Sequence, residues 1–193
     1  MKFYRMERII PFEGLGLYLD PDTECDQLVI FKSGEPMDPD FSGTLRLIID
    51  PEMEEGVWPA FFESPALLMK KSIYHEVAAL IGPAVEVYPA HIRDTHTQEL
   101  HSDYIFLNIT KTVSGLNRQA SEVRYLTETV LVADHVVLDE SAMSEAQDLK
   151  LFVLNEDTDV MIVSEDVRDA FLKLNLEDVR FSLLPSLQVQ DFK

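Results

Sequence analysis

Apolar residues in this chain fall mainly in short runs closed off by turn residues, and that spacing sets the fold class. Leu15 to Leu19, Leu28 to Phe31 and Leu45 to Ile49 are rich in aliphatic, β-branched and aromatic residues, as strands require. Between them lie Asp20-Pro21-Asp22, Ser33-Gly34-Glu35-Pro36 and Asp38-Pro39-Asp40, where proline and short carboxylates favour turns. Further on, Tyr104 to Ile109, Val130 to Leu138, Leu149 to Leu154 and Val160 to Val163 read as strands. The last two are joined by Asn155-Glu156-Asp157-Thr158-Asp159, an acidic hairpin loop.

Two stretches carry helical spacing instead. Ile73, Val77, Leu80 and Ile81 share a face and stop at Gly82-Pro83, the usual terminators; Val85, Val87 and Pro89 follow as a strand. Val167, Ala170, Phe171 and Leu174 form a second face, followed by Val179, Phe181 and Leu183 in alternation up to Pro185. Ser72 and Ser164 stand where N-caps belong. The segments align on Ser72 with Ser164, Ala78 with Ala170 and Leu80 with Leu172, through either duplication or the ordinary likeness of two helix–strand units. Strands outnumber helices without alternating with them, which favours α+β over a doubly wound sheet. The expected architecture is a strand-rich acidic region over 1–57, then over 58–193 a mixed or antiparallel sheet covered by the helices at 72–81 and 165–174, the whole one unit. Leu80 and Phe171 are expected in its core.

Charge narrows the function. The formal net charge is -19, from 35 acids against 16 bases. It is uneven: residues 1–60 carry 13 acids and 5 bases, as do residues 139–193, while the middle is nearly balanced. Such a field repels nucleic acid and anionic membrane and attracts basic partners. The N-terminus places Lys2, Arg5, Glu7 and Arg8 where a signal peptide needs apolar residues, and no run approaches the ~20 apolar residues of a membrane span. The single cysteine, Cys25, excludes an internal disulfide and fits a reducing compartment. A cytoplasmic protein is expected.

Motifs for chemistry are sparse. His91, His96 and His101, with Asp94 and Glu99 among them, are spaced so that neither helix nor strand aligns them. Asp20, Asp22, Glu24 and Asp26 begin like a calcium loop, but Cys25 stands where glycine is needed and Phe31 where glutamate is needed. Gly14-Leu15-Gly16 is too short for a phosphate-binding loop, and no serine sits in a nucleophile elbow. Acids beside Cys25 blunt a thiolate there. The expectation is a protein with no catalytic residue, cofactor or metal. The alternative is a small cation-binding enzyme or regulator using His91, His96 and His101 or the Asp20–Asp26 cluster.

Several segments carry a resemblance. They are Ser72 to Gly82 leading to Val85–Pro89, then Tyr104 to Asn108, then Leu151-Phe152 with Val160 to Ser164, and finally Phe171 through Pro185. In order and spacing they resemble an immunity-protein family of bacterial polymorphic-toxin systems, long catalogued only as a domain of unknown function. The resemblance implies a cytoplasmic protein that binds and neutralises a cognate toxin domain without catalysis. Basic toxin domains would gain fast association from the acidic field. The expected contact acids are those in turns, Asp20, Asp22, Asp38, Asp40, Glu156, Asp157 and Asp159. The expected aromatic anchor is Trp58, from the group Phe41, Trp58, Phe61 and Phe62 that flanks the acidic stretches.

Overall fold

A computed structural model describes residues 2–9, 16–20, 34–37, 41, 43–49, 58–128 and 130–187. The chain is a mixed α and β protein, rich in strands, with three α-helices among the described residues: α1 (Lys71–Ile81), the short α2 (Glu140–Glu145) and α3 (Glu165–Leu172). Two sheets dominate. The first has five strands, in the order β15 (Val179–Leu183), β1 (Phe3–Arg8), β14 (Met161–Ser164), β13 (Leu151–Leu154) and β9 (Thr112–Val113). The second has the path β2 (Leu17–Leu19), β3 (Leu45–Ile49), β6 (Val85–Arg93), β8 (Tyr104–Ile109), β5 (Leu68–Lys70) and β4 (Phe61–Phe62), with β7 (Leu100–His101) beside β6. Pairing is mostly antiparallel, but β3 runs parallel to β6 and β9 parallel to β13.

Period-two alternation explains how the sheets share a core. Tyr4 and Met6, Leu151 and Val153, Met161 and Val163 project from one face of the first sheet; Phe61, Met69, Ile105, Leu107 and Ile109 project from the second. These side chains form one cluster with Ile73, Val77 and Ile81 of α1 (Lys71–Ile81) and Val167 and Phe171 of α3 (Glu165–Leu172). The opposite residues, Phe3, Phe152, Leu154 and Ile162, join a second cluster with Leu131, Ala133, Val136 and Leu138. The outer face of the second sheet carries a third, from Leu45 and Leu47 to Tyr104 and Phe106. Strands buried on both faces lose polar alternation: β8, β13 and β14 are buried at every residue.

Several expectations are refined. Tyr104–Ile109 is a strand as read, and the 151–154 and 161–164 strands form an antiparallel hairpin. The strand after α1 runs to Arg93, through Pro89. That proline, without an N–H, precedes the β3 ladder, which begins at Leu45 opposite Ala90. Val130 to Leu138 is broken into β11 (Leu131–His135) and β12 (Leu138–Asp139). Between them the Val137 carbonyl accepts from the Asn117 N–H, and the Val137 N–H donates to Ser121 Oγ, so that backbone serves a turn instead of a ladder. The N-terminal residues, which the sequence marks only by their charge, supply β1, an interior strand of the first sheet between β15 and β14.

The helix ends depart from expectation. Ser72 lies inside α1, whose N-cap is Lys70 with no side-chain cap. Ser164 is at the N-cap of α3 but makes no capping bond; its hydroxyl contacts the Lys150 carbonyl and Asp166 Oδ1. Gly82 has a right-handed conformation and passes α1 into a 3-10 turn over Gly82–Ala84, without the left-handed stop expected of glycine. Phe171 is 2% exposed, as expected, whereas Leu80 is only half-buried against the same cluster. Leu28 to Phe31, Gly14 and Cys25 lie outside the described residues.

Candidate functional site

The acidic hairpin loop 155–159, expected to form part of a contact surface, turns two of its three acids inward. Asp157 is buried; its Oδ2 accepts from the Ala133 N–H at 2.9 Å and its Oδ1 from the Asp159 N–H at 3.1 Å. Glu156 is half-buried, and its Oε1 accepts from the Gly115 and Leu116 N–H groups at 2.9 and 3.3 Å. A carboxylate bends round to amides that no ladder satisfies because an unpaired buried N–H costs about 1–3 kcal/mol. Asp159 remains exposed. Asp20 is likewise buried and accepts from Arg93 Nη2 at 2.9 Å, which joins β6 to the end of β2. Asp22, Asp38 and Asp40 lie outside the described residues. The exposure expected of Asp20, Glu156 and Asp157 is therefore corrected: sequence shows where turns carry acids, not which backbone amides those acids must serve.

Trp58 is also engaged internally. It is half-buried, with its ring 4.2 Å from the His101 ring centroid, 5.8 Å from Tyr104 and edge-on to Phe62. Phe61 and Phe62 are core residues, and Phe41 packs edge-on against Tyr88. Of the histidines, His91 lies on β6 opposite Arg46, His101 lies on β7, and His96 is exposed in the turn between them. That turn is built on Asp94, whose Oδ1 accepts from the His96 and Thr97 N–H groups; these bonds hold its carboxyl below the usual range. Among the described residues no group of three His, Cys, Asp or Glu is placed to hold a metal ion. Of the Asp20–Asp26 cluster only Asp20 is described, and it is paired with Arg93. No described helix is long and apolar enough to cross a membrane.

What Asp157 holds in place is a projecting hairpin, β10 (Glu122–Tyr125) with β11. From β1, Arg5 Nη1 donates to the Ala133 and Asp134 carbonyls at 2.9 and 3.0 Å, so Ala133 is gripped on both sides of its backbone. The register pairs Val123 with Ala133 and Tyr125 with Leu131. These four residues share one face, and Leu131, Ala133 and Val123 pack into the second cluster. Tyr125 continues that apolar face beyond the body and is 57% exposed; Leu126 and Val130 at the tip are 60% and 47% exposed. Glu128 is exposed in the tip, and exposed Glu122 and Asp134 lie toward the base of the hairpin, with Arg124 paired to Asp134 at 2.8 Å. Three large apolar side chains are thus exposed at one hairpin tip of an acidic molecule, Tyr125 on the face of Leu131 and the paired Leu126 and Val130 on the other; exposed apolar side chains gathered in one place mark interaction sites. The sequence holds a signal for it: Tyr125-Leu126 and Val130-Leu131-Val132 bring more apolar residues than one face of a hairpin can bury.

A second feature is a cleft of about 390 Å³ between the sheets, lined by Arg5, Arg8, Glu63, Asp159 and Arg180 above Leu107 and Met161 among others. Glu63 Oε1 accepts from the Arg8 N–H at 3.0 Å. Burial pushes the Glu63 carboxyl above its ordinary range, against the pull of that bond, and nearby Glu7 adds to the rise. No protein-family model and no curated protein matches the chain.

Proposed function

We propose that this chain is a non-catalytic immunity-type protein that acts in the cytoplasm and neutralises a basic toxin domain by direct contact through the tip of the 122–135 hairpin. The observation that carries the reading is the tip itself: Tyr125, Leu126 and Val130, exposed on a hairpin held to the body, with exposed Glu128 among them. Apolar anchors that lose water on docking set the lifetime of a complex, and the surrounding charge sets its rate of formation. A second copy is disfavoured as occupant, because each copy carries -19. Resemblance of 72–89, 104–108, 151–164 and 171–185 to the immunity family supports the same reading, as does the absence of a catalytic motif from the sequence. Its fold counterpart is a mixed sheet covered by α1 and α3; the shared apolar cluster of both helices supports that arrangement.

The test is co-expression with the C-terminal domain of the protein encoded by the neighbouring upstream gene. Growth arrest relieved by the wild-type chain, but not by a Tyr125→Ser, Leu126→Ser, Val130→Ser variant of unchanged circular dichroism, is the expected result. Arrest that the wild type fails to relieve refutes neutralisation; full relief by the variant refutes the hairpin as the contact. Association should also slow as salt shortens the field's reach to ~8 Å at physiological ionic strength.

A further inference from the structure

The hairpin tip exposes apolar side chains on both of its faces, and that limits the shape of what can bind it. Tyr125 is exposed on the face it shares with Leu131, its partner in the register. Leu126 and Val130 are joined by the Leu126 N–H donating to the Val130 carbonyl at 2.9 Å, and both are exposed on the opposite face. Thr127-Glu128-Thr129 connects them and brings one charged side chain, that of Glu128, which is exposed as well. Toward the base the two faces part company. Val123, Leu131 and Ala133 pack into the second apolar cluster, so the body closes off the Tyr125 face just behind it. The other face continues to exposed Arg124, paired with Asp134.

A flat partner dries one face of a two-stranded ribbon and leaves the other in water. Seated on the Tyr125 face it misses Leu126 and Val130; seated on the far face it misses Tyr125. Burying all three anchors takes a wall on each side. We propose that the tip is a wedge that enters a cleft in its protein partner, a cleft with apolar walls on both sides and a basic group at its floor to meet Glu128. Packed sheet layers lie ~10 Å apart, so walls on either side of the ribbon stand roughly 20 Å from each other, backbone to backbone. The wedge rests on toxin neutralisation as the role of the chain and supplies the means. Binding sites for substrates are concave and largely apolar, and a cleft filled by the tip is closed to the toxin's own substrate.

The test takes the two faces apart. The whole chain is titrated by calorimetry with the C-terminal domain of the protein encoded by the neighbouring upstream gene. Tyr125→Ser alone, and Leu126→Ser with Val130→Ser, should each weaken binding about tenfold or more while keeping the circular dichroism of the wild type. Glu128→Lys should weaken it about tenfold. Hydroxyl-radical footprinting of the wild-type complex needs no variant and should show Tyr125, Leu126 and Val130 protected together. Unweakened binding by either face's variant, or protection of one face only, overturns the wedge and leaves neutralisation standing. Unweakened binding by Glu128→Lys overturns the basic floor. A wild-type chain that does not bind the domain refutes neutralisation, and the wedge with it.

Discussion

Asp157→Ala tests whether the acidic loop is framework for the hairpin or contact surface in its own right. The substitution leaves the fully buried Ala133 N–H without an acceptor and frees the Asp159 N–H in the turn. A buried donor left unmade costs about 1–3 kcal/mol, and the turn bond adds about 0.5–1.5 kcal/mol, so a loss of about 2–4 kcal/mol is expected. For a domain whose stability is of order 5–15 kcal/mol, that is a large fraction. Asp157→Asn keeps one carbonyl oxygen and should cost about half as much. Urea unfolding measures the total. Amide hydrogen exchange at Ala133 and Leu131 measures whether the hairpin opens ahead of the sheets, as the two anchors from Asp157 and Arg5 require. A loss below about 0.5 kcal/mol with unchanged exchange in 131–135 would refute the framework role, since only surface side chains are removed so cheaply.

Phe171→Ala should cost about 3–5 kcal/mol in the same assay, while Leu172→Ala, one residue on and 55% exposed, should stay within about 0.5 kcal/mol; equal losses would refute the assignment of the α3 face. Glu63→Gln tests the cleft carboxyl through pH. Its folded pKa is raised by burial, so its favourable contribution is present below the ordinary carboxyl range and is lost as pH rises through the folded pKa. The melting temperature of Glu63→Gln relative to wild type should therefore climb as pH rises above the ordinary carboxyl range. A flat or falling difference would refute that account.

The central elements were legible from residue pattern because their burial is extreme. Tyr104 to Ile109 is apolar at every residue but Asn108 and rich in aromatic and β-branched side chains, which favours a strand, and the 151–164 hairpin announces itself by two apolar runs around a polar loop. The faces of α1 and α3 follow from helical spacing, with Val77 and Phe171 in the core. β1 was hidden for the opposite reason. Phe3-Tyr4-Arg5-Met6-Glu7-Arg8 mixes charge with aromatic residues, because Arg5 and Arg8 are used on a hairpin and in a cleft that do not exist locally.

Residue spacing was enough to read a mixed α and β fold, most of its long strands and the two helical faces, and composition was enough to read the acidity. Each is a property of side chains against solvent, and local spacing records that directly. Tertiary structure alone decided what the acids do: Asp20 meets Arg93, Asp157 meets the amide of Ala133, and Glu156 meets those of Gly115 and Leu116, across separations of more than twenty residues. It also decided which apolar residues are left over. Tyr125 belongs to the same face as the buried Leu131 and Ala133, and is exposed only because the hairpin outruns the sheet beneath it. A hydrogen-bond acceptor and an apolar surface are chosen by what lies nearest in space, and nearness across the chain is set only once the two sheets have packed.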